Sequence, residues 1–343
     1  MIMKNEMEEF NMLYENKKEL LQLVLNNKSA ERIPIGFWWH FAHGDDLIFG
    51  YKSVKTIRSI IEAHKKMYDV FSPDFMKIMS DGFFAHPSLI ENNVTSISDI
   101  SKVKPIHKNH PWIREQVAMV AELSNYVGKN IMLFYNIFSP LQSIRLNVKY
   151  LGGDAEAFQD MAVKYPEKLI KICEIIASDY ALLAEELKNN TSIDGIYYSV
   201  QNLQHKKVDK LFHENYVMPI ELNLLNQLNS FWEYNLLHIC GYDHFKNKLD
   251  YYTKYKAKAY NWAVHTDKVS LKEGKRLFDS AVIGGFDNNQ GTLLDSGSLD
   301  DIEMFVHQLI KETGREGLIL GADCTIPSDI DITRLKFIRS IAK

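Results

Sequence analysis

Three cysteines in 343 residues are too few for a disulfide framework, and such a chain is expected in a reducing cytoplasm. No run approaches the ~18 consecutive apolar residues of a membrane-spanning helix. The N-terminal stretch MIMKNEMEEFNMLYENKKELLQLVLNN is acidic and amphipathic, with neither the apolar segment nor the cleavage site of a secretion signal. A soluble, cytoplasmic protein is therefore expected. Basic clusters extend no further than pairs such as Lys206-Lys207, and the formal charge is −4. With a pI near 6.3, nothing attracts nucleic acid or an anionic membrane. Low-complexity segments, Pro/Gly/Ser-rich linkers and fixed-period repeats are also absent. What is present, 46% hydrophobic and 24% charged residues, is the composition of a globular protein with a large core, and its default partner is a small molecule.

Short β-branched or aromatic runs alternate with longer stretches of helical periodicity. The expected strands are IPIGFWW (33–39), FMKIM (75–79), IMLFYNI (131–137), GIYYSVQ (195–201), NLLHIC (235–240), AKAYNWAV (257–264), AVIGGFD (281–287) and GLILGADC (317–324). Helical patterns cover about 53–69, 112–128, 154–188 as two helices, 208–232, 243–254, 270–279, 298–314 and 329–342. An extra helix is expected near 9–27. Eight βα units define a single (β/α)8 TIM barrel over 31–343 behind a helical extension over 1–30. A doubly wound sheet would carry a Gly-rich phosphate turn after its first strand, where this chain has FWWHFAHGDD.

Barrel enzymes build their sites at the C-terminal ends of the strands. Two residues apart in a strand, His238 and Cys240 point to one side. Cys324 ends the last strand as Cys240 ends the fifth, so the three side chains can meet as one imidazole and two thiolates, the donors of an open, catalytic zinc site. The bland alternative is two small core cysteines and a histidine bonded to backbone. Cys173, on the apolar stripe of a helix, reads as core.

Other strand ends carry second-rank candidates, each with a structural alternative. Trp38, Trp39 and His40, near His43, form an aromatic wall for substrate or pack the first strand. Asn136, Ser199 and Gln201 bind substrate or satisfy loop backbone. Asp267 or Asp287 orients His238 through its second nitrogen, or caps a turn, and His265 is close enough in sequence to pair with Asp267.

LLHICG, AVIGGFD and the ending GLILGADCTIPSDIDITRLKFIRSIAK resemble the uroporphyrinogen decarboxylase superfamily, above all its zinc-dependent methylcobamide:coenzyme M methyltransferase branch. The resemblance implies a (β/α)8 barrel and Zn2+ on His238, Cys240 and Cys324. It further implies a small thiol acceptor, and a methyl donor in the form of a corrinoid (methylcobamide) on a partner protein. A homodimer is also among the expected associations. True decarboxylases of the superfamily carry an Arg-rich loop after the first strand, and FWWHFAHGDD has no arginine. MKIMSDGFF nevertheless resembles the segment bearing that branch's key aspartate, which gives Asp81 the choice of binding a substrate cation or capping a turn. A carboxy-lyase and a non-catalytic zinc- or corrinoid-binding barrel are the alternatives.

Overall fold

The computed structural model describes residues 17–203, 205–241 and 246–343. Its centre is a curled sheet of seven parallel strands in sequential order: β1 (Phe75–Ile78), β2 (Met132–Phe138), β3 (Gly195–Val200), β4 (Leu236–Ile239), β5 (Ala259–Trp262), β6 (Ala281–Phe286) and β7 (Leu318–Ala322). Every strand is buried over nearly its whole length, which is why each reads as an almost unbroken apolar run. Alternate side chains divide between two cores. Met76 and Ile78 join the large layer between strands and helices, while Phe75 and Met79 join an inner cluster with Phe134, Tyr197, Leu236 and Ile283. Leu21, Val24 and Leu25 of the helix Lys17–Leu25 close that inner cluster from the end where the strands begin. The opposite end is free for a site.

The sheet is TIM-barrel-like, but it has seven strands where eight are expected. The segment 33–39 makes a single bridge, Ile35 to Leu320, with Gly36 N–H donating to Leu320 O and Leu320 N–H to Pro34 O. On its other side no ladder forms, for three local reasons. Pro34 has no N–H to give. The Ile35 N–H donates instead to Asp74 Oδ2. Gly36 lies so close to the Phe75 ring that a Cβ would sit 2.1 Å from it.

The helices Val54–Phe71, Pro111–Val127, Leu271–Phe278, Leu299–Thr313 and Ile332–Ile341 occupy the expected places, as does the pair Ala155–Lys164 and Pro166–Asn190. Ser298 caps Leu299–Thr313 by accepting from Asp301 N–H, and Gly314 ends it. The expected helix at 208–232 is interrupted by a π turn at His213–Val217, just ahead of Pro219. Of the pattern at 243–254, Leu249–Tyr252 forms only a 3₁₀ turn, and 243–245 lie outside the described residues. The first part of the N-terminal pattern, 9–16, also lies outside them. Pro140–Tyr150 forms a helix that hydrophobic periodicity misses, because it is buried on nearly every side and so has no polar stripe. Among the described residues no helix is long and apolar enough to cross a membrane.

The barrel seam is held by an ion pair. Arg32 Nη1 and Nη2 each donate to one oxygen of Asp74 at 2.7 Å, and Asp74 is fully buried. Burial pushes the Asp74 carboxyl up, but the hydrogen bonds and charge of Arg32 outweigh it and hold the group below its ordinary 3.8. The resulting stability is present above that value and fades as pH falls through the lower folded value. Replacing Arg32 with Ala strands a buried carboxylate and should cost about 3 kcal/mol near neutral pH, read as a lower urea midpoint, with the gap to wild type narrowing below pH 4.

Candidate metal centre

Cys240 follows β4 directly, and its N–H donates to Val200 O at 2.8 Å, prolonging the pairing with β3. Gly241 then turns the chain tightly against β5, since a Cβ there would lie 2.4 Å from that of Ala263. Cys324 comes two residues after β7, with the Asp323 N–H anchored on Phe286 O. His238 Nε2 lies 3.6 Å from Cys324 Sγ. One donor atom from each of His238, Cys240 and Cys324 falls within 4.8 Å of the others, and this is the one such candidate group among the described residues.

The fit to a soft or borderline cation is chemical as well as spatial. Asn261 on β5 donates through Nδ2 to Ile283 O at 2.9 Å and to Ala322 O at 3.1 Å, which fixes its amide with Oδ1 toward His238. Tyr197 Oη donates to that oxygen at 3.1 Å, and His238 Nδ1 approaches it at 2.5 Å. Nδ1 therefore carries the proton, and the Nε2 lone pair faces the sulfurs. Each thiol acts on the other, which holds Cys324 well below the ordinary thiol range, helped by the nearby Lys77 charge, and Cys240 well above it. Both sulfurs hold a cation as thiolates, so an ion bound here would take the place of their protons. These residues suit zinc with three protein ligands and one open position.

The partner of His238 is Asn261, in place of the expected Asp267 or Asp287. Asp267 is buried and accepts from Asn247 N–H at 2.6 Å, and burial pushes its carboxyl up to about 7. Asp287 accepts from the N–H and the side chain of Asn289 within its own loop. His265 pairs with Asp323 at 3.0 Å rather than with Asp267, and the Asp323 carboxylate raises the imidazole above its ordinary 6.5. Asp81, fully buried, binds the first loop: its oxygens receive His40 Nδ1 at 2.8 Å, Phe41 N–H at 2.6 Å and Ala42 N–H at 3.3 Å.

Asn136, Ser199 and Ser80 form a chain, Ser199 Oγ donating to Asn136 Oδ1 and Asn136 Nδ2 to Ser80 Oγ. Gln201 is buried nearby. Trp38 packs in the inner cluster 5.2 Å from the Tyr197 ring, whereas Trp39 points into the outer layer against Phe71. His40 and His43 line a cavity of about 690 Å3 at the mouth, with Asn288, Asn289 and Thr325 on its far wall. Cys173 is buried in the outer core, where burial pushes its thiol up.

Two residues of the centre escaped sequence reasoning. Asn261 gave no signal, because an amide inside a strand looks like any other. Lys77 did, since a lysine in the middle of the apolar run FMKIM is out of place. It is 6% exposed, and its ammonium lies 4.2 Å from the centroid of the Tyr197 ring and 5.1 Å from that of Trp38. Burial pushes Lys77 down to about 8, against the opposing pull of Cys324, Cys240 and Asp81, so it stays charged at neutral pH.

Fold and donor set together define a TIM-barrel-like protein with a candidate His/Cys/Cys metal centre at its open end. No protein-family model and no curated protein matches the sequence. Among solved structures, a methyltransferase from Methanosarcina mazei superposes with a TM-score of 0.70 at 12% identity, over 95% of this chain and 98% of that one. A B12-independent methionine synthase from Shewanella sp. W3-18-1, in complex with selenomethionine, superposes with a TM-score of 0.52 at 11% identity, over 91% and 96% of the two chains. At these identities the likeness shows a shared fold, that of both solved structures.

Replacing Asn261 with Leu frees the His238 ring and should weaken zinc binding roughly 10- to 100-fold, measured by competition with a chromogenic chelator. An affinity equal to wild type would mean that Asn261 does not orient the ligand.

Proposed function

We propose that the chain is a zinc-dependent methyltransferase that moves a methyl group onto the sulfur of a small thiol, with a methylcobamide corrinoid on a partner protein as donor. The observation that carries this reading is the meeting of one imidazole nitrogen and two cysteine sulfurs within 4.8 Å at the open end of the barrel. Zinc held there supplies a vacant fourth position and stabilises a sulfur ligand as thiolate at neutral pH. The likeness to a methyltransferase and a methionine synthase supports methyl transfer as the class of reaction.

The remaining work falls to the protein. Asn261 fixes the tautomer of His238, and Cys240 and Cys324 would hold the ion as thiolates. The mouth cavity beside Cys324, walled by His40, Asn288 and Thr325, receives the body of the thiol and the methyl donor. There the sulfur lone pair forms the new S–C bond while the donor–methyl bond breaks, its electron pair staying with the donor. Asp81 acts through His40, which it holds at the rim, and Asp267 and Asp287 act by bracing the loops of Asn247 and Asn289. The decarboxylase reading has less support, because Asp81 already has three donors from the first loop and that loop has no arginine.

Purified protein is expected to carry one zinc per chain, and Cys324→Ser and His238→Ala to lose it. Wild type mixed with methylcobalamin and a panel of thiols should demethylate the cobalamin in a thiol-dependent way, followed by absorbance, and both variants should fall to background. Zinc uptake without demethylation by any thiol would turn the reading toward another donor or a binding role. Turnover of a carboxylated substrate without metal would replace it with the lyase.

A further inference from the structure

Lys77 is a buried cation that the account above does not use. Phe75, Lys77 and Met79 alternate toward the interior of the sheet, so the lysine stem rises from the apolar inner cluster toward the end where the metal ligands lie. Its ammonium makes no hydrogen bond to a described residue and rests on the faces of Tyr197 and Trp38. The Tyr197 ring is in turn 5.7 Å from the His238 ring, centroid to centroid, and its hydroxyl bonds to the same Asn261 oxygen that holds His238. An unpaired ammonium in a protein interior is costly, and replacement by an apolar residue of similar volume is commonly stabilising. A lysine kept there calls for a negative partner.

Charge counting identifies one. A divalent ion with two cysteinates and a neutral imidazole is electrically neutral, so the centre itself gives Lys77 no counter-charge, and the Asp81 carboxylate that also acts on Lys77 is engaged by His40 and the Phe41 and Ala42 N–H groups. A third sulfur arriving as thiolate makes the centre −1, and the lysine then balances it. A neutral ligand in the same position leaves the lysine unbalanced. Resting on the zinc reading above, we propose that Lys77 is the built-in counter-cation of the ligand-bound centre, a positioning residue that selects an anionic sulfur over a neutral donor for the open coordination position.

The test uses cobalt(II)-loaded protein, whose visible bands report the ligands around the ion, titrated at fixed neutral pH with 2-mercaptoethanol and separately with imidazole. In Lys77→Met, cobalt should still bind one per chain, and the dissociation constant for 2-mercaptoethanol should rise at least about tenfold, as expected on losing one nearby charge in a partly buried site. Imidazole should bind within about twofold of wild type, because a neutral ligand does not engage the lysine charge. Lys77→Arg should keep the preference for the thiol, and Lys77→Gln, a second charge-free variant, should behave as Met does. The Met variant should also melt at a higher temperature than wild type. Equal 2-mercaptoethanol affinity in wild type and the charge-free variants overturns the inference while leaving the metal centre standing, and so does an equal loss for both ligands. Failure of the wild type itself to bind cobalt overturns the zinc reading, and the inference with it.

Discussion

One amide ties the open end of the barrel together. Asn261 on β5 donates to the backbone of β6 at Ile283 and of β7 at Ala322, and its oxygen accepts from Tyr197 on β3 and His238 on β4. Five neighbouring strands thus meet at a single side chain, and the β7 carbonyl that it binds, that of Ala322, lies two residues before Cys324. All four groups are buried, so each bond is made where leaving it unmade would cost most. This network turns a sheet register into a donor geometry: it holds the ring of His238 in one tautomer and fixes the strand that delivers Cys324.

Around that network the electrostatics divide the site in two. Inside is the ammonium of Lys77, packed among aromatic rings with little water to screen it, and above it lies the half-buried thiol pair. Further out are two imidazole–carboxylate pairs, His40 with Asp81 and His265 with Asp323, of which His40 lines the mouth cavity. The interior suits generation of a charged sulfur, and the rim suits the handling of larger polar molecules. That division fits a reaction in which a small nucleophile is prepared in place and a bulky donor is brought to it.

Much of this was legible in the sequence, for reasons that differ by residue. His238 and Cys240 are two apart in an apolar run, so strand geometry alone puts them on one side. GADC ends a second run, and a parallel sheet brings such ends together. Seven of the eight expected strands formed. The eighth failed at IPIG, where a proline without an N–H and a carboxylate that captures the next one interrupt the ladder. That interruption depends on Asp74, 39 residues away, so local pattern could not reveal it. Asn261 was illegible for a similar reason: its importance lies in register with four other strands. The roles expected of Asp267 and Asp287 rested on chain order, but Asp267 accepts from Asn247 in the segment after β4 and Asp287 from Asn289 in its own loop. Lys77 was the opposite case, a visible anomaly whose partner only the folded chain supplies.

The central claim is that His238, Cys240 and Cys324 bind one zinc with a position left for sulfur. X-ray absorption at the zinc edge tests it most directly. The account predicts two sulfurs at about 2.3 Å and a nitrogen at about 2.0 Å in the resting protein, with a third sulfur appearing when a small thiol is added. A shell of nitrogen and oxygen alone, or a sulfur count that does not change with thiol, would contradict it.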